Sequence, residues 1–211
     1  MMRLHGYWRS GTAYRTRIAL NLKGLAYEQV PHDLRTGEQR AADYLALQPQ
    51  GLVPALESED GVLMQSPAIL EWLEERYPDP PLLPPEPGAR ATVRAMAAVI
   101  GCDIHPLNNL RVLKALRGDL SATQAQVDGW IAHWIGEGFA ALETMIARHG
   151  GGFAYRDTPT LADCYLVPQL YSADRFGVDV TPYSHLLAAA ERLRAIPAVA
   201  AAHPDMQPDA G

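Results

Sequence analysis

The sequence is poor in cysteine: Cys102 and Cys164 are the only two in 211 residues. They form no Cys-x-x-Cys pair and have no metal-ligand spacing, which argues against a metal centre or a redox dithiol. Both lie in apolar helical patterns, so buried, reduced thiols in a cytoplasmic protein are expected. Basic charge is also scarce. The net charge of −6 argues against non-specific nucleic-acid binding, though it says nothing about local basic pockets. No apolar stretch is long enough to span a membrane. The N-terminus lacks a basic region followed by an apolar run and a cleavage site, so no signal peptide is expected. There is no internal repeat, and the one biased tract is the alanine-rich tail, Ala188 to Ala202. What is present is ordinary for a globular chain: 48% apolar and 20% charged residues, with length for one large or two small domains.

The first half alternates short strands and helices. Leu4–Trp8 reads as a strand and Tyr14–Lys23 as a helix, stopped by Gly24. Tyr27–Asp33 follows as a strand and Gln39–Leu47 as a weaker helix. Leu52–Glu57 and Gly61–Gln65 are two further strands, the first carrying Pro54. Ser66 then caps a helix with Pro67 at its first position. Ile69, Leu70 and Leu73 form its core face, and Glu71, Glu74, Glu75 and Arg76 its outer face. This βαβαββα order predicts a helix-covered sheet built partly from a parallel βαβ unit.

Six prolines between Pro78 and Pro87 leave no room for a helix or a central strand, so a stiff linker and domain boundary are expected there. Beyond it the pattern is helical throughout. Four helices are predicted, over Arg90–Arg117 (kinked at Pro106), Ser121–His149, Thr160–Arg175 and Tyr183–Ala195. The predicted organisation is therefore an α/β domain over 1–80, a linker over 81–87 and an all-helical domain over 88–211.

Two helix starts carry chemistry. Arg9-Ser10-Gly11-Thr12-Ala13-Tyr14-Arg15 places hydroxyls between cations at a strand-to-helix turn, where free N–H groups and the helix dipole stabilise an anion. Taken alone, such a turn is more often a simple cap. In Thr160-Leu161-Ala162-Asp163 the spacing is that of a capping box, so Asp163 is expected to be structural.

The domain order, the capping box and the first turn together resemble the cytosolic glutathione transferases. The stretch Ser10-Gly11-Thr12-Ala13-Tyr14-Arg15-Thr16-Arg17-Ile18-Ala19-Leu20 is similar to the Ser-Ser-Cys-x-x-Arg-x-Arg-Ile-Ala-Leu signature of the zeta class, with Thr12 in place of the signature cysteine. Val53-Pro54, Gln65-Ser66, Asp103-Ile104-His105-Pro106-Leu107-Asn108-Asn109-Leu110 and Asp179-Val180-Thr181-Pro182-Tyr183 extend the resemblance over nearly the whole chain. With Gly101-Cys102-Asp103, the Arg-Ser-Gly-Thr variant is similar to the maleylpyruvate-isomerising members.

The resemblance implies a thioredoxin-like N-terminal domain, an all-helical C-terminal domain and a homodimer. It implies reduced glutathione as a cofactor that is regenerated, and a small dicarboxylate as substrate, with no nucleic-acid or membrane partner. Ser10 would point its hydroxyl at the glutathione sulfur. Thr12 would be either a second donor or a cap. Gly11 lies between them in the same turn. Val53 would pair its backbone with the cysteinyl part of glutathione, next to a cis bond before Pro54. Residues alone would also allow an edge-strand proline there. Gln65 and Ser66 would hold the γ-glutamyl carboxylate, and Gln39, His105, Asn108 and Asn109 are further cofactor candidates. Arg9, Arg111 and Arg175 match positions that bind the two carboxylates of the substrate, a task suited to planar bidentate cations. Arg15 and Arg17 are expected to be structural or salt-bridged.

The implied reaction is cis–trans isomerisation of maleylpyruvate to fumarylpyruvate, in bacterial gentisate breakdown. Three alternatives remain open. They are maleylacetoacetate isomerisation, a conjugating or dehalogenating transferase, and a non-catalytic module of the same fold.

Overall fold

The computed structural model describes residues 1–211, which divide into two compact units: 1–82 together with 195–211, and 83–194. In the first unit a four-stranded sheet has the order β2-β1-β3-β4. β1 is Met2–Gly6, β2 is Tyr27–Pro31, β3 is Ala55–Ser58 and β4 is Gly61–Met64. β1 pairs parallel with β2 and antiparallel with β3, and β3 pairs antiparallel with β4. The helices α1 (Gly11–Leu22), α2 (Ala42–Leu47) and α3 (Ser66–Arg76) complete the expected βαβαββα order. Ile18 and Leu20 of α1 are fully buried, as are Ile69 and Leu73 of α3, and the two helices pack on each other. α3 buries the face that its periodicity predicts, Ile69, Leu70 and Leu73, whereas α1 is buried on all sides from Ala13 to Leu20 rather than along one stripe.

β1 runs two residues earlier than the predicted Leu4–Trp8, β2 and β4 end at Pro31 and Met64, and α2 starts at Ala42 rather than Gln39. Three further boundaries differ for a local reason. α1 starts at Gly11 rather than Tyr14, because Ser10 adopts an extended cap conformation and its Oγ accepts the Ala13 N–H at 3.3 Å. β3 starts only after the cis Val53–Pro54 bond, since a proline nitrogen has nothing to donate to the ladder. α3 includes Ser66, so its cap is Gln65, at φ 66° and ψ 113°, and no side chain caps the helix.

Glu74, expected on the outer face of α3, is buried. Its Oε2 accepts from Lys23 Nζ at 2.8 Å and from the Leu82 N–H at 2.9 Å. Lys23 also donates to the carbonyls of Tyr77 and Pro80. A buried ammonium with three oxygen partners offsets its desolvation and ties the proline-rich segment to α1.

The tail departs most from expectation. α9 (Pro197–Ala201) and the turn Pro204–Met206 belong to the first unit, not to the helical one. The buried Arg17 donates to Ala202 O at 3.0 Å, Asn21 to Ala198 O at 2.9 Å, and Gln29 to Gln207 Oε1 at 2.8 Å. Arg17 is thus structural, as predicted, and the carbonyls it needs draw the tail onto α1.

The second unit is helical: α4 (Pro87–Ala98), α5 (Leu110–Gly118), α6 (Gln124–His149), α7 (Leu161–Arg175) and α8 (Ser184–Arg194). Along α6, Val127, Ile131, Ile135, Phe139, Leu142 and Ile146 recur at helical spacing and are all buried. The long helix predicted over Arg90–Arg117 is broken, not kinked. After α4 come a π-helical turn, Val99–Ile104, and a 3₁₀ turn, His105–Asn108. Pro106 lacks an N–H and crowds the preceding turn, so the ladder cannot run through it. Within this turn Ile100 and Ile104 are buried and Cys102 is exposed, against the expectation, while Cys164 is buried as expected. Gly138 of α6 permits the close approach, because a Cβ there would lie 2.3 Å from Ile104 Cδ1. No helix is long and apolar enough to cross a membrane.

At the start of α7, Thr160 and Asp163 form the predicted capping box. The Asp163 carboxylate accepts from the Thr160 N–H, the Thr160 hydroxyl and the Ala154 N–H, at 2.8–2.9 Å. Full burial pushes its carboxyl up to about 6, against those three donors, which pull it down. Asp163→Ala strands these donors in the core and is expected to cost about 3 kcal/mol, measured by urea unfolding. A carboxyl raised in the folded state contributes most below its unfolded value, and that contribution is lost as pH rises through the folded value. The stability gap between wild type and Asp163→Ala is therefore expected to widen as pH falls from 7 to 5. A gap under about 1 kcal/mol, or one that narrows, would contradict this account. Lys23→Met, which leaves Glu74 buried without its ammonium, is expected to cost about 3–5 kcal/mol in the same measurement.

Candidate functional site

In the first unit Ser10, Thr12 and Val53 meet at the start of α1. The turn before it is closed by the Ser10 N–H, bonded to Tyr7 O at 2.9 Å. Ser10 Oγ and Thr12 Oγ1 are 2.9 Å apart, and Thr12 Oγ1 donates to Val53 O, also at 2.9 Å. The single Thr12 proton is therefore committed to Val53. Ser10 must be the donor in the Ser10–Thr12 contact, while its oxygen also accepts from Ala13 N–H. The structure thereby joins Ser10, Thr12 and Val53 in one chain. Thr12 lies inside the first helical turn, not in the loop before it. No acidic side chain occupies that first turn, so the helix end keeps its positive character.

The loop carrying Val53 is held from several sides. The Tyr44 hydroxyl donates to Leu52 O at 2.7 Å, and Gln48 Oε1 accepts the Leu52 N–H at 3.3 Å. Gly51, at φ 60°, allows the loop to lie against the turn Glu38–Arg40. A Cβ at this position would sit 2.8 Å from Gln39 O. Gln39 is 9% exposed, and its Oε1 has no hydrogen-bond partner within the protein. Buried amide oxygens without partners are rare.

Gln65 and Ser66 meet at the start of α3. The positive φ of Gln65 is a sparsely populated conformation for a residue with a side chain, costing about 1–3 kcal/mol, and such strain concentrates at binding sites. Gln65 Nε2 donates to Gln50 Oε1 at 2.5 Å. Ser66, expected as the cap, is buried and lies 3.5 Å from Arg15 Nη1. Arg15 is itself buried, consistent with a structural role. Sequence reasoning missed Gln50; its one local signal is the Pro49–Gly51 turn just before Val53.

Arg9 is partly buried, with its guanidinium carbon 5.2 Å from the centre of the Trp8 ring. Its Nε is buried without a hydrogen-bond partner. Trp8 is a second residue that the sequence reading passed over. It seats Arg9 through a cation–π contact and carries the backbone leading into Ser10.

The second unit holds the remaining candidates. Asn109 caps α5, its Oδ1 accepting the Val112 N–H at 3.2 Å. Asn108 is 8% exposed, and neither of its amide atoms has a partner within the protein. His105 opens the 3₁₀ turn before it. Arg111 is exposed in the first turn of α5. Arg175 is exposed as the last residue of α7, its guanidinium 4.5 Å from the centre of the Phe176 ring. No group of three or more His, Cys, Asp or Glu side chains is arranged to hold a metal ion.

Residues 4–81 match the family of glutathione S-transferase N-terminal domains. Over 99% of its length the chain is 50% identical to a maleylpyruvate isomerase of Ralstonia, covering 99% of that protein. It is 51% identical to a maleylacetoacetate isomerase of Pseudomonas aeruginosa, over 99% of this chain and 98% of that one. A solved holo structure of a maleylpyruvate isomerase, described as a bacterial zeta-class glutathione transferase, superposes with a TM-score of 0.97. That superposition has 49% identity and covers 99% of this chain and all of the other. The chain belongs to the zeta-class glutathione transferases, the family of the maleylpyruvate and maleylacetoacetate isomerases.

Proposed function

We propose that this protein catalyses the glutathione-dependent cis–trans isomerisation of maleylpyruvate to fumarylpyruvate. The observation that carries the reading is the Ser10–Thr12–Val53 chain at the unblocked start of α1. Glutathione would supply a thiolate that adds to the conjugated carbon, leaves the former double bond free to rotate, and departs unconsumed. Ser10 turns its proton from Thr12 toward that sulfur, because Thr12 has already spent its own on Val53. The N–H groups of the first turn of α1 add their positive field, and together they favour thiolate over thiol. Thr12 is then a brace: it fixes the Val53 carbonyl and supplies the oxygen on which the Ser10 proton rests. The Val53 backbone beside the cis bond would hold the cysteinyl portion. The Gln39 amide oxygen would take a donor from the far end of the cofactor. Gln65 and Ser66, at the uncapped start of α3, would receive the γ-glutamyl carboxylate.

Maleylpyruvate carries two carboxylates, and Arg9, Arg111 and Arg175 are the guanidinium groups assigned to them. Each presents a flat pair of donors that matches a carboxylate. They also stabilise negative charge that develops on the carbonyl oxygen during rotation. The open face of the Arg9 guanidinium is set by the Trp8 ring beneath it.

Maleylacetoacetate is the second reading, favoured by a relative at 51% identity. The two substrates differ by one methylene, a difference worth only about 1–3 kcal/mol in a pocket. Comparing the two enones with and without glutathione, while following total thiol, separates all the possibilities. Conversion that requires glutathione and leaves thiol constant is expected, with the higher kcat/KM for maleylpyruvate. Falling thiol would indicate conjugation instead.

Ser10→Ala is expected to lower kcat/KM by about 10²–10³ and to move the thiolate inflection to higher pH. Thr12→Val should weaken glutathione binding about tenfold, whereas Thr12→Ser should not. Arg9→Ala, Arg111→Ala and Arg175→Ala are each expected to raise the substrate KM by at least about tenfold without changing glutathione affinity. Unchanged KM in all three would remove these side chains from the substrate site.

A further inference from the structure

The C-terminal tail reaches the candidate site through one residue, Trp8. The Trp8 N–H donates to Asp209 Oδ2 at 2.9 Å, and Trp8 O accepts from Arg17 Nη2, also at 2.9 Å. Both sides of the Trp8 residue are therefore fastened. One fastening is in the tail, and the other is a buried guanidinium that itself bonds the tail at Ala202 O. Trp8 directly precedes Arg9 and Ser10, its ring seats the Arg9 guanidinium, and the Ser10 N–H closes the turn on Tyr7 O. The tail is in turn anchored around Asp209. Gln207 is 5% exposed and bonds Gln29, Ala201 O and His203 O, and Arg35 donates to Gly211 O.

We infer that Asp209 is a positioning residue for the Ser10 turn. By accepting the Trp8 N–H, it fixes the segment that carries both the thiolate donor Ser10 and the substrate cation Arg9. This rests on the proposed glutathione site. The sign of the effect separates positioning from charge. A carboxylate near the site disfavours a second anion, so removing its charge alone would lower the thiol pKa. Removing its hydrogen bond releases the turn and misaims Ser10 and the first helical N–H groups, which raises the thiol pKa. Small misplacements of catalytic groups are costly in rate.

The test titrates bound glutathione against pH by the ultraviolet absorbance of its thiolate, in wild type, Asp209→Ala, Asp209→Val and Asp209→Asn, alongside kcat and KM. Asp205→Ala, an exposed residue of the same tail, serves as control. Asp209→Ala and Asp209→Val are expected to shift the thiolate midpoint upward and to lower kcat/KM about tenfold. Asp209→Asn keeps an oxygen acceptor for the Trp8 N–H, and is expected to match wild type or titrate slightly lower. Asp205→Ala is expected to be silent. A downward or absent shift in both Asp209→Ala and Asp209→Val would overturn the inference while leaving the site intact. So would an Asp209→Asn variant as impaired as Asp209→Ala. A wild type that neither binds nor ionises glutathione would overturn the site reading itself.

Discussion

Arg17 is a guanidinium in the middle of α1 with 1% of its surface exposed. A buried cation is tolerated only when its donors meet oxygens, and an arginine cannot discard its charge by losing a proton. Its guanidinium donates to carbonyls from two distant stretches: Trp8, just ahead of the helix, and Ala202, in the tail. Satisfying this one side chain therefore fixes three things together. It sets the angle at which β1 enters α1, it commits the last residues to the first unit, and it holds the segment from which Arg9 and Ser10 project.

The same economy of backbone bonds builds the rest of the cofactor-side geometry. Val53 must present its carbonyl to the start of α1. It does so because Tyr44, Gln48 and Gly51 brace the loop on its N-terminal side, and because the proline that follows has no N–H to pair. Thr12 then meets that carbonyl. Where many zeta-class chains carry cysteine, this hydroxyl can both donate to Val53 O and accept from Ser10. A thiol in its place would be a weaker donor and a weaker acceptor. The substitution thus stiffens the link between the two halves of the site without adding a second acid.

The order of strands and helices was legible because its signals are local: alternation, helical stripes, Gly24, the proline cluster and the Thr160–Asp163 box. Ser10, Val53-Pro54 and Gln65-Ser66 could be picked out because they stand in a matched motif. What sequence reasoning could not supply was pairing over long separations. Glu74 sits at a solvent-like position of its helix, and its burial depends on Lys23, fifty-one residues earlier, and on the Leu82 N–H. The tail reads as a weak alanine-rich helix. Nothing in its pattern says that Ala198, Ala202 and Asp209 answer donors on α1 and the turn before it. Cys102 is exposed because it falls between Ile100 and Ile104, which continue the buried stripe, and not on it.

Four helix starts in this chain show how the same physics yields either structure or chemistry. α7 is closed: Asp163 places a carboxylate over the first turn, and three donors saturate it. An external anion there would meet a charge of its own sign. α5 is closed more mildly, with the Asn109 oxygen taking the Val112 N–H. α1 is capped by a neutral hydroxyl whose proton can turn, and α3 has no side-chain cap at all, its entry held by the strained Gln65. Neither α1 nor α3 has an acidic residue in its first turn. An anion is therefore welcome at α1 and α3 and unwelcome at α7. A thiolate at α1 and the γ-glutamyl carboxylate at α3 are two of the charges that one glutathione molecule would bring. The caps of α1 and α3 thus leave their first turns open to the kind of charge that the Asp163 carboxylate at α7 would repel.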